Sequence, residues 1–165
     1  MNHINNTQNY VCLKQKTITD QITFSGVGIH NGRAVTIVID PAKEDTGIIF
    51  KRIDLKRNNI IKAKYSNIDT SSLCTRLINE KGVTVSTIEH LMAAFSAFGI
   101  DNAIVSINDA EIPALDGSSY EYVKKLTKCG IKEQKKNKKR IKLLRKIKAS
   151  DGKRFISISP SDDLY

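Results

Sequence analysis

Apolar and polar positions alternate with the two-residue period of a strand in several places along the chain. Val35-Thr36-Ile37-Val38-Ile39 is a β-branched run closed by Asp40-Pro41, and such a run bounded by proline reads as a strand. Ile48 to Arg52 and Ala103 to Ile107 read the same way, and Ile61 to Asn67 more weakly. Leu73 to Ile78 and Val83 to Val85 flank Asn79-Glu80-Lys81-Gly82, which predicts a hairpin, with Asp69 to Ser72 as the loop before it. Ile18, Ile22 and Phe24 lead into Gly26-Val27-Gly28-Ile29-His30-Asn31-Gly32, where closely spaced glycines predict a turn between two strands.

Two stretches change to helical period. Leu91, Ala94, Phe95 and Phe98 fall at i, i+3, i+4 and i+7, one apolar stripe. Ser86 and Glu89 have the spacing of a capping box ahead of it, and Gly99 is a left-handed stop behind it. The device repeats: Ser118 and Glu121, then Tyr122, Val123, Leu126 and Cys129, then Gly130. Strands followed by two amphipathic helices predict an α+β two-layer sandwich over residues 15–131, a mostly antiparallel sheet with both helices on one face. Residues 1–14 are expected to be a mobile extension and 132–140 a basic linker. Residues 141–165 read as the truncated start of a second, similar domain. Ile141 to Ile147 and Phe155 to Ser159 would be its strands, Ser150 to Lys153 the turn between them, and Pro160 to Asp163 a further turn.

Composition adjusts this outline in three ways. At 165 residues the chain can bury one core and begin another. Residues 132–148 carry ten basic side chains against Glu133 alone, so nearly all of the net charge of +10 sits there. A run of this kind suits an anionic surface. It has no interleaved aromatic rings for stacking on bases, so no nucleic acid is expected, and a solvated linker is the plainer account. Cys12, Cys74 and Cys129 are three, widely spaced, and contain no Cys-x-x-Cys, which suggests neither a disulfide framework nor a cysteine-only metal site. No apolar run approaches the ~18 residues of a membrane span. The N-terminus has no basic–apolar leader pattern, and a cytoplasmic location is expected.

Candidate chemistry centres on Glu89-His90 at the head of the first helix. Neutral imidazole is the commonest metal ligand, and a neighbouring carboxylate can take a proton from a metal-bound water. On spacing alone the plainer account is the stronger: Glu89 as a cap and His90 as a histidine at a core edge. A bare Glu-His pair is far less specific than His-Glu-x-x-His. His30 in its glycine turn reads either as an exposed turn histidine or as a residue near a ligand. Cys74 reads either as a small core residue or as a reactive thiol.

A wider pattern bears on these alternatives. Ser86-Thr87-Ile88-Glu89-His90-Leu91-Met92-Ala93-Ala94 resembles the helix of the UDP-3-O-acyl-N-acetylglucosamine deacetylases, zinc enzymes of lipid A synthesis in Gram-negative bacteria. Gly26 to Gly32, Pro41-Ala42, Thr46 to Asp54, Leu73-Cys74-Thr75, Gly99 to Asn102 and Glu111 to Ser118 are similar to the same family in the same order. The likeness covers most of residues 15–165 and about the first half of the family's usual chain. It implies hydrolysis of the 2-acetamido group of a UDP-linked acylated N-acetylglucosamine, releasing acetate. Glu89 would be the general base and His90 a ligand of Zn2+. His30, Leu73, Cys74 and Thr75 would border the substrate, with His30 at the rim. The family's other two metal ligands and its acid histidine belong to the second half. The only histidines here are His3, His30 and His90. The resemblance therefore implies an incomplete N-terminal fragment. The alternatives are an inactive relic or a split-enzyme module that needs a second-half partner chain, or a binder of anionic surfaces through residues 132–148.

Overall fold

The structure, a computed structural model, describes residues 13–70, 73–139 and 141–161. The elements run β1 (Lys14–Ile18), β2 (Ile22–Val27), β3 (Ala34–Pro41), β4 (Ile48–Arg52), β5 (Ile60–Lys62), β6 (Ile68–Asp69), β7 (Arg76–Ile78) and β8 (Thr84–Val85). After these come α1 (Glu89–Phe98), β9 (Ala103–Ile107), α2 (Tyr120–Cys129), β10 (Ile131–Asn137), β11 (Ile147–Asp151) and β12 (Arg154–Ile158). The fold is the expected α+β sandwich.

The largest sheet has the order β2-β3-β9-β4-β5. β9 lies at its centre, antiparallel to β3 and parallel to β4. Strict alternation gives it one buried face: Val35, Ile37 and Ile39 on β3, Ile48 and Phe50 on β4, and Ala103, Val105 and Ile107 on β9. That face shares one apolar core with Leu91, Ala94 and Phe95 of α1 and Tyr122 and Leu126 of α2. The Tyr122 ring meets Phe24 of β2 with centroids 4.8 Å apart, and its hydroxyl donates to the Pro113 carbonyl at 2.8 Å. Burial raises the Tyr122 pKa out of the ordinary phenol range. A small sheet of order β6-β7-β8 carries the strands leading to α1.

Gly99 ends α1 as expected, with φ 66°. The Ile100 amide bonds the Phe95 carbonyl at 2.9 Å and the Gly99 amide bonds Ser96 at 3.0 Å, the paired bonds of a Schellman stop.

Both capping boxes are corrected. α1 begins at Glu89 behind Ile88, with no side-chain cap. Ser86 is instead drawn into a parallel bridge with Glu111; its amide donates to Ala110 and its carbonyl accepts from Ile112. With its backbone held by the Glu111 segment on both sides, Ser86 places no side-chain cap on the helix that starts three residues on. At α2, which starts at Tyr120, the Ser118 hydroxyl does accept from the Tyr120 amide at 3.0 Å, but the Ser118 amide bonds Asp116 and not Glu121, so only half of the box forms. Three strands are also shorter or later than expected. Of Ile61 to Asn67 only the start is extended, and Tyr65–Asn67 is a 3-10 turn. Leu73 to Thr75 stands outside β7, and Ile141 to Lys146 lies ahead of β11 and is not part of a strand. The Phe155 strand is present as β12, the partner of β11.

Residues 131–137, mostly within the stretch read as linker, form β10, antiparallel to β1. Beyond Ile131, which packs against the core, its one inward group is the polar Gln134, so no hydrophobic pattern marks it. The Asn102 side-chain amide donates to Gln15 at 2.8 Å and to Gln134 at 2.7 Å, and Gln134 donates to the Ala42 carbonyl at 2.8 Å. Lys136 pairs with Asp45 at 2.6 Å and Lys138 with Asp101 at 3.0 Å, so part of the basic run is neutralised locally. The expected N-terminal extension as far as Cys12, Ser71-Ser72 of the loop, Arg140 of the linker and residues 162–165 lie outside the described residues.

The β11–β12 hairpin is exposed along its whole length, including Ile156 and Ile158. A two-stranded ribbon without a covering layer is marginal in water. Native-state hydrogen exchange is therefore expected to protect Ile104 to Ile107 strongly and to leave Phe155 to Ile158 close to unprotected; equal protection would count against this.

Candidate active site

The residues singled out from the sequence lie around the segment that leads into α1. β8 delivers the chain to Ser86, whose bridge to Glu111 fixes the direction of approach. Thr87 then takes φ 61°, a left-handed conformation that costs a β-branched residue strain. That reversal sets Glu89 and His90 in the first turn of α1.

Glu89 does not cap its own helix. Its Oε2 accepts from the Thr75 amide at 2.9 Å, while the Ile88 amide donates to the Thr75 carbonyl at 3.3 Å. These two bonds clamp the Leu73-Cys74-Thr75 segment to the helix head. His90 is half-buried, and its carbonyl accepts from the Ser119 hydroxyl at 2.9 Å, tying α1 to the start of α2. Asp116 lies near enough to feel His90. Its carboxyl is held below the usual range chiefly by the Ser118 hydroxyl and amide, with a smaller electrostatic part from His90.

A groove of about 330 Å³ opens beside this segment, lined by His30, Asn31, Leu73, Cys74, Arg76, Ser86, Ala110 and Glu111. His30, Leu73 and Cys74 are thus brought together on one wall system. Thr75 stands behind them as the anchor to Glu89. Glu89 and His90 are not among the lining residues. Leu73 is 78% exposed, an apolar side chain projecting at the mouth. Arg76 pairs with Asp69 at 2.6 Å and keeps a buried Nε hydrogen without a partner.

Glu111 had drawn no attention as a chemical group, although it belongs to the Glu-Ile-Pro segment. It is 3% exposed and saturated by donors. The amides of His30 (3.1 Å) and Asn31 (2.9 Å), the His30 Nδ1 (2.6 Å) and the Thr87 hydroxyl (2.8 Å) all point at its carboxylate. Burial alone would raise its pKa. The Asn31 amide, the His30 ring, the Thr87 hydroxyl and the His30 amide together outweigh burial and hold it below the ordinary value. Gly28 is part of the same arrangement, because a Cβ there would stand 2.6 Å from Glu111 Oε2 and closer still to the Asn31 side chain.

Comparison of the sequence with known proteins shows its family. The family model described as UDP-3-O-acyl N-acetylglycosamine deacetylase (LpxC) matches residues 15–165, nearly the whole chain. The chain belongs to this family. Among curated relatives, the UDP-3-O-acyl-N-acetylglucosamine deacetylase of Idiomarina loihiensis is 42% identical over 150 residues, covering 91% of this chain and 49% of its own. The enzyme of that name from Shewanella frigidimarina is 41% identical, covering 88% of this chain and 48% of its own. One from Francisella tularensis subsp. tularensis is 41% identical, covering 92% and 54%. The chain spans about half the length of these deacetylases.

The deacetylases' expected zinc is not matched by this donor set. Among the described residues no group of three His, Cys, Asp or Glu stands close enough to hold a metal ion, whereas a catalytic zinc site draws on about three protein ligands. No described helix is long and apolar enough to cross a membrane.

Two outcomes test this geometry. Gly28→Ala is expected to lower stability by about 1–3 kcal/mol, the range for forced overpacking, read as a drop in thermal midpoint. For Glu111, the folded-state value lies below the unfolded one. Its stabilisation is therefore complete above the ordinary glutamate value of 4.5 and is lost as the pH falls through the lower folded value. Glu111→Gln is expected to flatten the acid side of the stability–pH curve measured by denaturant unfolding.

Proposed function

We propose that this chain is the amino-terminal half of a UDP-3-O-acyl-N-acetylglucosamine deacetylase, acting on a UDP-linked acylated N-acetylglucosamine to give the free amine and acetate. The observation that carries the reading is the clamp between Glu89 and Thr75. It sets a carboxylate and the adjacent His90 at a helix head, next to a groove bordered by His30, Leu73 and Cys74. Family membership over residues 15–165 supports it.

In this reading Glu89 is the general base, held in place by the Thr75 amide that it accepts from. His90 is the one zinc ligand this half supplies, with the remaining ligands and the acid histidine on the second half. Leu73 and Cys74 border the acyl-sugar, Thr75 shapes the same wall through its backbone, and His30 stands at the rim. The reaction belongs to the cytoplasmic stage of lipid A synthesis. No metal step is derived for this chain alone, because its donors do not complete a site.

The isolated chain is expected to show no turnover of UDP-linked acylated N-acetylglucosamine with added zinc, and to lose zinc on dialysis. A second-half polypeptide added in trans is expected to restore turnover that Glu89→Gln lowers by about 10²–10⁴-fold, the usual share of a general base. Turnover by the isolated chain that vanishes in His90→Ala would overturn the half-site assignment, and no turnover with the second half present would favour a relic.

A further inference from the structure

The buried carboxylate of Glu111 is the group whose surroundings go furthest beyond the proposed reaction. It stands apart from the Glu89–Thr75 clamp, and no step of the hydrolysis uses it. It nonetheless touches both the rim histidine and the residue that turns the chain into α1.

We propose that Glu111 is a positioning residue for His30: its carboxylate fixes the tautomer and orientation of the imidazole and leaves Nε2 as the ring atom offered to the groove. An ionised carboxylate can only accept, so the 2.6 Å contact requires the hydrogen on Nδ1. The Thr87 hydroxyl gives its own hydrogen to Glu111 at 2.8 Å and lies 3.2 Å from Nδ1, a second acceptor for the same ring hydrogen. Among the described residues nothing else bonds to the ring, so in neutral His30 the Nε2 lone pair is left for a ligand. The His30 side chain is 39% exposed on the groove, whereas Glu111 is 3% exposed, so the carboxylate acts through the imidazole. The two backbone amides of His30 and Asn31 close on the same carboxylate, so ring and turn are held together. The strained Thr87 conformation occurs together with a hydroxyl aimed at Glu111. A carboxylate behind an imidazole is the general means by which proteins select a histidine tautomer.

The ligand this arrangement would receive carries a hydroxyl or N–H donor, as the sugar of a sugar nucleotide does. That part rests on His30 lying at the substrate rim, as proposed above. The Glu111–His30 coupling stands on geometry alone.

The test uses the full chain uniformly labelled with 15N, with the His30 ring signals identified by their loss in His30→Gln. Two-bond 15N–1H correlation spectra report which ring nitrogen carries the hydrogen. At a pH high enough to keep the ring neutral, wild-type His30 is expected to show Nδ1 protonated and Nε2 bare, and Glu111→Gln to convert this to a mixture of tautomers. Amide shifts of Ile104 to Ile107 report that the variant keeps its core. Wild-type His30 with the hydrogen on Nε2, or an unchanged tautomer in folded Glu111→Gln, would overturn the proposal, and the first needs no variant. A second arm titrates UDP-linked acylated N-acetylglucosamine. Wild-type His30 signals are expected to shift, with affinity about tenfold weaker in Glu111→Gln, the size of one charge-assisted hydrogen bond. The expected tautomers without any substrate response would support the coupling and overturn the rim reading instead.

Discussion

A carboxylate shut away from water must find a donor for nearly every lone pair, or its burial costs several kcal/mol. Glu111 finds its donors in segments far apart in the chain: the His30-Asn31 turn and Thr87. The turn after β2, the reversal before α1 and the loop after β9 are therefore not independent of one another. Gly28 is required because the carboxylate and the Asn31 side chain fill the space beside its Cα. Ser86 gives up its capping role because its backbone is paired on both sides of the Glu111 segment. The groove is the space left beside this knot.

At the other end of α1 a second polar arrangement has the same logic without charge. Asn102 is 1% exposed and uses both ends of its amide: Oδ1 accepts from the Gly47 amide, and Nδ2 donates to Gln15 and Gln134. Thr17 adds a bond to the Asn102 carbonyl at 2.7 Å. This network docks the β1–β10 ribbon against the main sheet, where an apolar face would otherwise be needed. Satisfied buried polar networks of this kind specify one arrangement more than they add stability.

The helix head and the groove divide the candidate chemistry. Glu89 and Thr75 lock each other by a side chain–backbone bond, which leaves His90 half-open between α1 and the Asp116-Ser118 turn. The Leu73-Cys74 side of the groove is tied to the helix head by this clamp, and its His30-Asn31 side is held by Glu111. The chain is about half the length of its deacetylase relatives. The exposed β11–β12 ribbon leaves Ile147, Ile156 and Ile158 open to solvent.

Where a local rule governs, residue order was enough. The alternation of Val35, Ile37 and Ile39, the stripe of Leu91, Ala94 and Phe95, and the stop at Gly99 follow from periodicity and from backbone sterics that act within a few residues. The motif Ser-Thr-Ile-Glu-His and its companions likewise carried the family. What only the tertiary structure decided is where distant groups meet. Ser86 fits a cap by spacing, but a strand bridge to Glu111 outcompetes the cap. Glu89 reads as a partner for its own helix, yet its hydrogen bond goes to Thr75. The lysines of residues 132–136 read as linker because Gln134 and its partners Gln15 and Asn102 have no hydrophobic signature. Glu111 looked like an ordinary loop acid for the same reason: a carboxylate's role is set by which donors surround it, and those donors come together only when the chain has folded.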